Sequence, residues 1–321
     1  MRYVWAAFLK REVSAVGFGC ASLGSRIGAE QGVRALETAY DLGVTWYDVA
    51  PAYGDGHAES LLGGFAASRR DDIVICTKVG IAPTRDTRLL GAIKPMVRKA
   101  IAMAPGLRGV ARKLAPAARK LPLTPDLIVT SLDQSLARLG SDHVDVLALH
   151  EPSLAECQDR LIHAALEAVL RSGKARAIGI AGDAAIASAA LDSGGPFHLV
   201  QVPGSPWSPA FKLASLTHAL PEPFLVTHGI FGVDGPLRRL TESLASSPDA
   251  EARLRAAGYG GRRDELAARA LGAYAFARNP KGVVLSSMFS ADHARTICAQ
   301  AAEEPNPQAL DVVHQMIGQS P

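Results

Sequence analysis

Thr45, Trp46, Tyr47, Asp48, Val49, Ala50, Pro51, Ala52, Tyr53 and Gly54 form an apolar, aromatic run that breaks at a Pro and Gly turn. Val44 to Asp48 reads as a buried strand, since β-branched and aromatic residues suit a pleated, covered surface. The same kind of run recurs on both sides. Candidate strands are 15–19, 44–48, 73–78, 144–150, 177–181, 199–202, 224–228 and 282–286. Between them lie longer Ala/Leu-rich stretches of helical period, with apolar residues three and four apart, as in Leu132, Leu136 and Leu139. Thr124, Pro125 and Asp126 give a cap followed by an N-terminal proline, and Ser290, Ala291 and Asp292 repeat the cap without the proline. The strand and helix rhythm persists from near residue 13 to near residue 303. Eight βα units in about 300 residues predict an α/β protein of the (β/α)8 TIM-barrel class, residues 1–321 forming one barrel domain. An open doubly wound sheet is the alternative. It is weakened because no G-x-G-x-x-G joins a strand to a helix.

Two segments interrupt the rhythm. A long basic insertion, residues 81–124, separates the third strand from its helix, and residues 246–262, rich in Ser, Pro, Gly and Ala, lie between the seventh and eighth units. Both are expected to be loops around the ligand, because in barrels the segments after the strands surround it. The tail from Asn306 to Pro321 has a weak helical pattern. The insertion holds ten Lys and Arg residues against Asp86 alone, a local excess larger than the whole chain's +3, so the rest of the chain is net acidic. Such a segment can steer an anionic ligand, lie on an acidic partner or surface, or cover the barrel as a solvated lid. It lacks interleaved aromatics, and no nucleic-acid reader motif accompanies it, so nucleic acid is not expected as a partner.

At 48% hydrophobic and 20% charged residues the 321-residue chain can bury a large core and is neither polycationic nor compositionally disordered. Cys20, Cys76, Cys157 and Cys298 are far apart, with no Cys-x-x-Cys pair, which indicates neither a metal site nor a disulfide framework. Lys10, Arg11 and Glu12 stand where a secretory apolar run would be, and no stretch reaches about 18 uninterrupted apolar residues. The expected location is cytoplasmic.

The polar residues at the strand ends carry the chemistry. Asp48 ends the second strand and Tyr53 follows five positions later. Lys78 ends the third in Ile75, Cys76, Thr77, Lys78, and His150 ends the fourth in Leu147, Ala148, Leu149, His150. In order and placement this set resembles the catalytic tetrad of the aldo-keto reductases, and the resemblance extends from about Val13 to about Ala302. It implies Tyr53 as acid in reduction and base in oxidation, Lys78 as its tuner, Asp48 as the anchor of Lys78, and His150 as the orienter of the substrate oxygen. The physics is that hydride delivery to a carbonyl builds negative charge on oxygen, which a proton donor must meet. A phenol of pKa about 10 is poorly matched to neutral pH, and a neighbouring ammonium is expected to lower it.

The resemblance also implies a nicotinamide cofactor, NADP(H) or NAD(H). Gln201 matches a family residue that contacts the nicotinamide carboxamide, whereas Ala181 and Gly182 stand where the family has a Ser-Asn pair. His228, followed by Gly229, stands where a tyrosine stacks on the ring. Gly229, Phe231 and Gly232 lie in a loop able to wrap the pyrophosphate through backbone amides. Ser286, Ser287, Ser290 and His293 follow the eighth strand, with His293 near a position where the family often has an arginine for the 2′-phosphate. The choice between the two nucleotides stays open. The resemblance implies hydride transfer between that cofactor and the carbonyl or alcohol of a small molecule. The alternative is a catalytically weak or inactive scaffold acting as a binding or regulatory subunit through its basic insertion. Trp207 and Trp46 are candidates for an apolar wall, with core packing the simpler reading of Trp46.

Overall fold

Strands rich in Val, Ile and Leu, each covered on both faces, pair in parallel only when helices return the chain to the same edge, and eight such units close on themselves. The computed structural model describes residues 1–83, 118–207, 224–232 and 235–318. In chain order its strands are β1 (Tyr3–Ala6), β2 (Arg11–Ser14), β3 (Val16–Gly19), β4 (Trp46–Asp48), β5 (Val74–Val79), β6 (Ile81–Ala82), β7 (Arg119–Lys120), β8 (Val144–His150), β9 (Ala175–Ala181), β10 (Leu199–Pro203), β11 (Phe224–His228) and β12 (Val283–Ser286). Strands β3, β4, β5, β8, β9, β10, β11 and β12 form a closed parallel barrel in that order. This is the (β/α)8 fold expected from the sequence, with every barrel strand within two residues of its expected bounds.

Two apolar layers hold it. Trp46, Val74, Cys76, Val146, Ala148 and Leu199 belong to one buried cluster, to which Phe8 and Leu9 of the β1–β2 turn also pack. Phe8 meets Phe224 edge-on at 5.1 Å, and Trp46 stacks on Phe224 at 5.7 Å. The antiparallel β1–β2 hairpin therefore covers the amino-terminal end of the barrel, and Trp46 is core. The second layer joins the outer strand faces to the helices. The helix Pro125–Leu139 shows how sequence sets its ends. The Thr124 side chain accepts from the Leu127 amide, Pro125 fits the first turn, and Gly140 closes it at φ 63°. Ser290 precedes the helix Ala291–Gln300, but its hydroxyl makes no capping bond.

Two expectations change. Residues 246–262 are not a loop throughout, because Pro248–Ala256 is a helix packed on the helices Pro236–Ala245, Arg263–Arg278 and Pro307–Gly318. Its Ala250 and Leu254 are buried, and two apolar residues four apart suffice to seat a short outer helix. The tail forms the helix Pro307–Gly318 on the outer layer, with Val312, Val313 and Met316 buried. Most of the basic insertion lies outside the described residues. Its two ends meet, β6 pairing antiparallel with β7 through Ile81 and Lys120. Among the described residues no helix is long and apolar enough to cross a membrane.

Candidate functional site

Parallel pairing in register brings the strand ends to one rim: Gly19 beside Asp48, Asp48 beside Cys76, Lys78 beside Ala148, His150 beside Ala181, and Ala181 beside Gln201. Side chains alternate across a strand. Lys78 donates from Nζ to Asp48 Oδ1 at 2.6 Å and to the Val49 carbonyl at 3.2 Å. Its neighbour Thr77 donates from its hydroxyl to the buried Glu59 carboxylate at 2.6 Å, which also accepts from Arg138 Nε at 2.6 Å. Glu59 stands in the helix Ala58–Ala66, directly after the turn that carries Tyr53, so that turn and the Lys78 strand are tied together.

The turn Tyr53–Gly56 depends on glycine. Gly54 and Gly56 have φ of 60° and 90°, and Asp55 between them is left-handed as well. A Cβ at Gly54 would fall 1.7 Å from the Leu23 carbonyl oxygen, so only glycine lets this turn rest on the loop after β3. The placement puts the Lys78 ammonium 4.8 Å from the centre of the Tyr53 ring. The His150 ring meets Tyr53 edge-on at 5.9 Å. All four residues of the expected tetrad are thus neighbours.

Their charge states follow from burial and from one another. Burial is the largest single influence and would drive the Lys78 ammonium toward neutrality, but Asp48, Tyr53 and Cys76 together outweigh it, and the net direction is up. Lys78 is 1% exposed and stays charged. Burial raises the Tyr53 phenol above its ordinary value, and the opposing pull of Lys78 does not overcome it. The sequence-based expectation of a lowered phenol is corrected here: Lys78 acts in the expected direction, but desolvation is larger. Burial, then Lys78 and His228, push the His150 imidazole down to about 3, so it is neutral at pH 7. Burial lowers His228 as well.

A cavity of about 730 Å³ opens at this rim, lined by Tyr53, Lys78 and His150 and, of the residues expected to hold a cofactor, by Gln201, His228, Gly229, Ser286 and Ser287. Phe231, Gly232, Ser290 and His293 are not among its lining residues. Phe231 instead packs edge-on against His293 at 5.6 Å. Ala181 and Gly182 line it without offering a polar side chain. Gln201 Oε1, Ser286 Oγ and His150 Nδ1 are buried with no hydrogen-bond partner among the described residues. Buried polar atoms are nearly always satisfied, so three orphans around one cavity fit a ligand that brings the missing partners. Sequence reading missed Lys120, Glu151, Ser153, Asp183, Ile186 and Pro203, which also line the cavity. Lys120 and Pro203 end strands and Glu151, Ser153 and Asp183 lie within three residues of one, and that position was the available signal.

The Aldo/keto reductase family model matches residues 15–219. D-threo-aldose 1-dehydrogenase of a Pseudomonas species is 33% identical over 176 residues, 52% of this chain and 50% of that protein. The aldo-keto reductase yakc of Schizosaccharomyces pombe, named for NADP(+), is 31% identical over 201 residues, 61% of this chain and 50% of that protein. The chain thus spans about half the length of these curated relatives. The aldo-keto reductase of Klebsiella pneumoniae in complex with NADPH has the same fold, with a TM-score of 0.67 at 20% identity, over 99% of this chain and 96% of that one. With its closed eight-stranded barrel and a family match across most of the strands, the chain belongs to the aldo/keto reductase family.

Proposed function

We propose that the protein is an oxidoreductase that exchanges a hydride between a nicotinamide nucleotide and the carbonyl or alcohol carbon of a small molecule. The observation that carries this reading is the buried, charged Lys78–Asp48 pair set against Tyr53 and His150 at the wall of a cavity with unsatisfied polar atoms. A bound nicotinamide nucleotide would supply or accept the hydride. Gln201 and Ser286 are the residues best fitted to hold it, because each keeps a buried polar atom for a ligand, with His228 and Gly229 beside them.

In reduction, the carbonyl π pair moves to oxygen as hydride reaches carbon, and the Tyr53 hydroxyl donates its proton to that oxygen. A phenol held above its usual pKa keeps its proton until negative charge develops next to it. The Lys78 charge then stabilises the phenolate left behind, and Asp48 keeps Lys78 charged and in place. Neutral His150 can donate from one ring nitrogen to the same oxygen, which an imidazolium so close to Lys78 could not do without repulsion. In oxidation the phenolate takes the alcohol proton.

A second reading, a scaffold that binds nucleotide weakly, is favoured by one observation: Ala181 and Gly182 give the cavity no side-chain bond. Titration of NADPH and NADH, each followed by tryptophan fluorescence, separates the two. Micromolar binding of either nucleotide, with nucleotide-dependent reduction of an aldehyde, is expected. Silence with both would overturn the enzyme reading in favour of the scaffold.

A further inference from the structure

We infer that Glu151 makes this cavity select its substrate by charge, favouring carbonyl compounds that carry an ammonium group or several hydroxyl donors and disfavouring those that carry a carboxylate. The inference rests on the reductase reading of the cavity and names the substrate class that reading leaves open.

Glu151 directly follows His150 and lines the cavity. Its φ of 51° is left-handed, a region that residues with a Cβ rarely occupy. Two contacts hold it there. The Glu151 amide donates to the Ala181 carbonyl at 2.6 Å, and Gly182 approaches so closely that a Cβ on it would stand 3.2 Å from the Glu151 Cα. The side chain therefore leaves a fixed backbone at the wall, one residue from the imidazole that faces Tyr53. Glu151 is exposed, and among the described residues no hydrogen bond or ion pair engages its carboxylate.

The charge balance of the wall points the same way. Lys78 is neutralised by Asp48. That leaves Lys120 against Glu151 and Asp183 among the described charged lining residues, and no ion pair joins Lys120 to either. Asp183 uses Oδ1 to accept from the Ala185 and Ile186 amides, so Glu151 is the acid whose oxygens are uncommitted. A wall with a surplus negative charge favours donors and cations and raises the cost of bringing in an anion.

The test uses the full-length protein and three matched aldehydes: 4-(trimethylammonio)benzaldehyde, its neutral tert-butyl isostere, and 4-carboxybenzaldehyde. With NADPH or NADH, kcat/KM is expected to be higher for the cation than for the anion. In Glu151→Gln that ratio should fall about tenfold, chiefly through KM, the size of one charge contact in a partly solvated site. Added salt should shrink the ratio in the native protein more than in the variant. A merely structural role for Glu151 would lower all three aldehydes in proportion and leave the ratio unchanged, which would overturn the inference. So would a native preference for the anion, which would assign the charge of the site to the basic insertion instead. Absence of turnover of the neutral aldehyde with either nucleotide would sink the reductase reading alone. Calorimetric binding of the cation and the anion then decides the charge inference, with equal binding, or none, counting against it.

Discussion

The two halves of the barrel mouth are built on opposite plans. On β4 and β5 most of the key groups are bonded within the chain: Lys78 to Asp48 and Val49, and behind them Thr77 to Glu59 and Glu59 to Arg138. On β8, β10 and β12 polar atoms are buried and unbonded among the described residues, as His150 Nδ1, Gln201 Oε1 and Ser286 Oγ show, while Ala181 and Gly182 at the end of β9 offer none. The first half is assembled by folding itself. The second is completed only when something enters, because an unsatisfied buried amide or hydroxyl costs free energy until it is paired. Preorganised charge on one side and waiting partners on the other suit a site where the protein supplies the proton and a bound group supplies the electrons.

The sharpest way to break this contrast is to remove the proposed proton donor. Tyr53→Phe keeps the ring that packs beneath Lys78 and beside His150 and deletes only the hydroxyl. Loss of general acid catalysis is expected to lower kcat by about 10²- to 10⁴-fold with nucleotide affinity nearly unchanged. Steady-state rates together with a nucleotide titration check this, and a variant with full activity would take Tyr53 out of proton transfer. Next in size is stability. Lys78→Met leaves the Asp48 carboxylate buried and unpaired, at a cost of about 3–5 kcal/mol by the usual behaviour of broken buried pairs. Ser286→Ala removes a buried hydroxyl that has no partner among the described residues, so its unfolding free energy should hold or rise, by up to about 1–3 kcal/mol, while nucleotide binding weakens. Urea midpoints of the two variants test the contrast directly, and equal losses would erase it.

How much of this the sequence shows depends on the range of the interaction. The barrel strands are legible because each is a short apolar run bounded by turn residues, and Asp48, Lys78 and His150 are legible because each ends such a run. The β1–β2 hairpin is not, since Tyr3–Ala6 becomes a strand only by pairing with Arg11–Ser14 across the barrel floor. The Pro248–Ala256 helix is hidden by the Ser and Pro residues at its start and the glycines after it, which read as loop until Leu254 finds its neighbours. The protonation of Tyr53 is hidden for a deeper reason. A lysine nearby is visible in the chain, but the depth of burial that outweighs it exists only in the fold. Glu151 is concealed likewise, because its left-handed backbone depends on a bond to Ala181, thirty residues away.

Acid sharpens the comparison on a smaller scale. His150 has a folded pKa of about 3 against about 6.5 for a free imidazole. Between those values only the unfolded chain takes the proton, so this contribution to stability is complete above about pH 6.5 and is lost as pH falls toward 3. At pH 5 the loss from His150 alone is about 2 kcal/mol by linkage. His228, lowered by burial, adds a loss of the same sign. His150→Phe should flatten the fall in unfolding free energy between pH 7 and pH 5 by roughly that amount, measured by urea unfolding at each pH. An unchanged slope would mean that His150 takes its proton in the folded state.

The smallest effect bears on the half of the mouth that waits for a ligand. Ala181 is the last residue of β9, beside Gln201 in register and against the cavity, so a hydroxyl placed there would stand next to the unpartnered Gln201 amide oxygen. Ala181→Ser adds one atom at a residue that is already 4% exposed. If the cavity holds a nucleotide, the new hydroxyl gains a bond to it of about 0.5–1.5 kcal/mol, which is up to about tenfold in affinity. If instead the hydroxyl only pairs with Gln201, the variant becomes slightly more stable and nucleotide affinity falls, because Gln201 is no longer available. Parallel titrations and unfolding curves distinguish these outcomes, since affinity and stability move in opposite directions in the second case. Tighter nucleotide binding without a gain in stability would place the missing partners of Gln201 on the ligand, where the contrast between the two halves requires them to be.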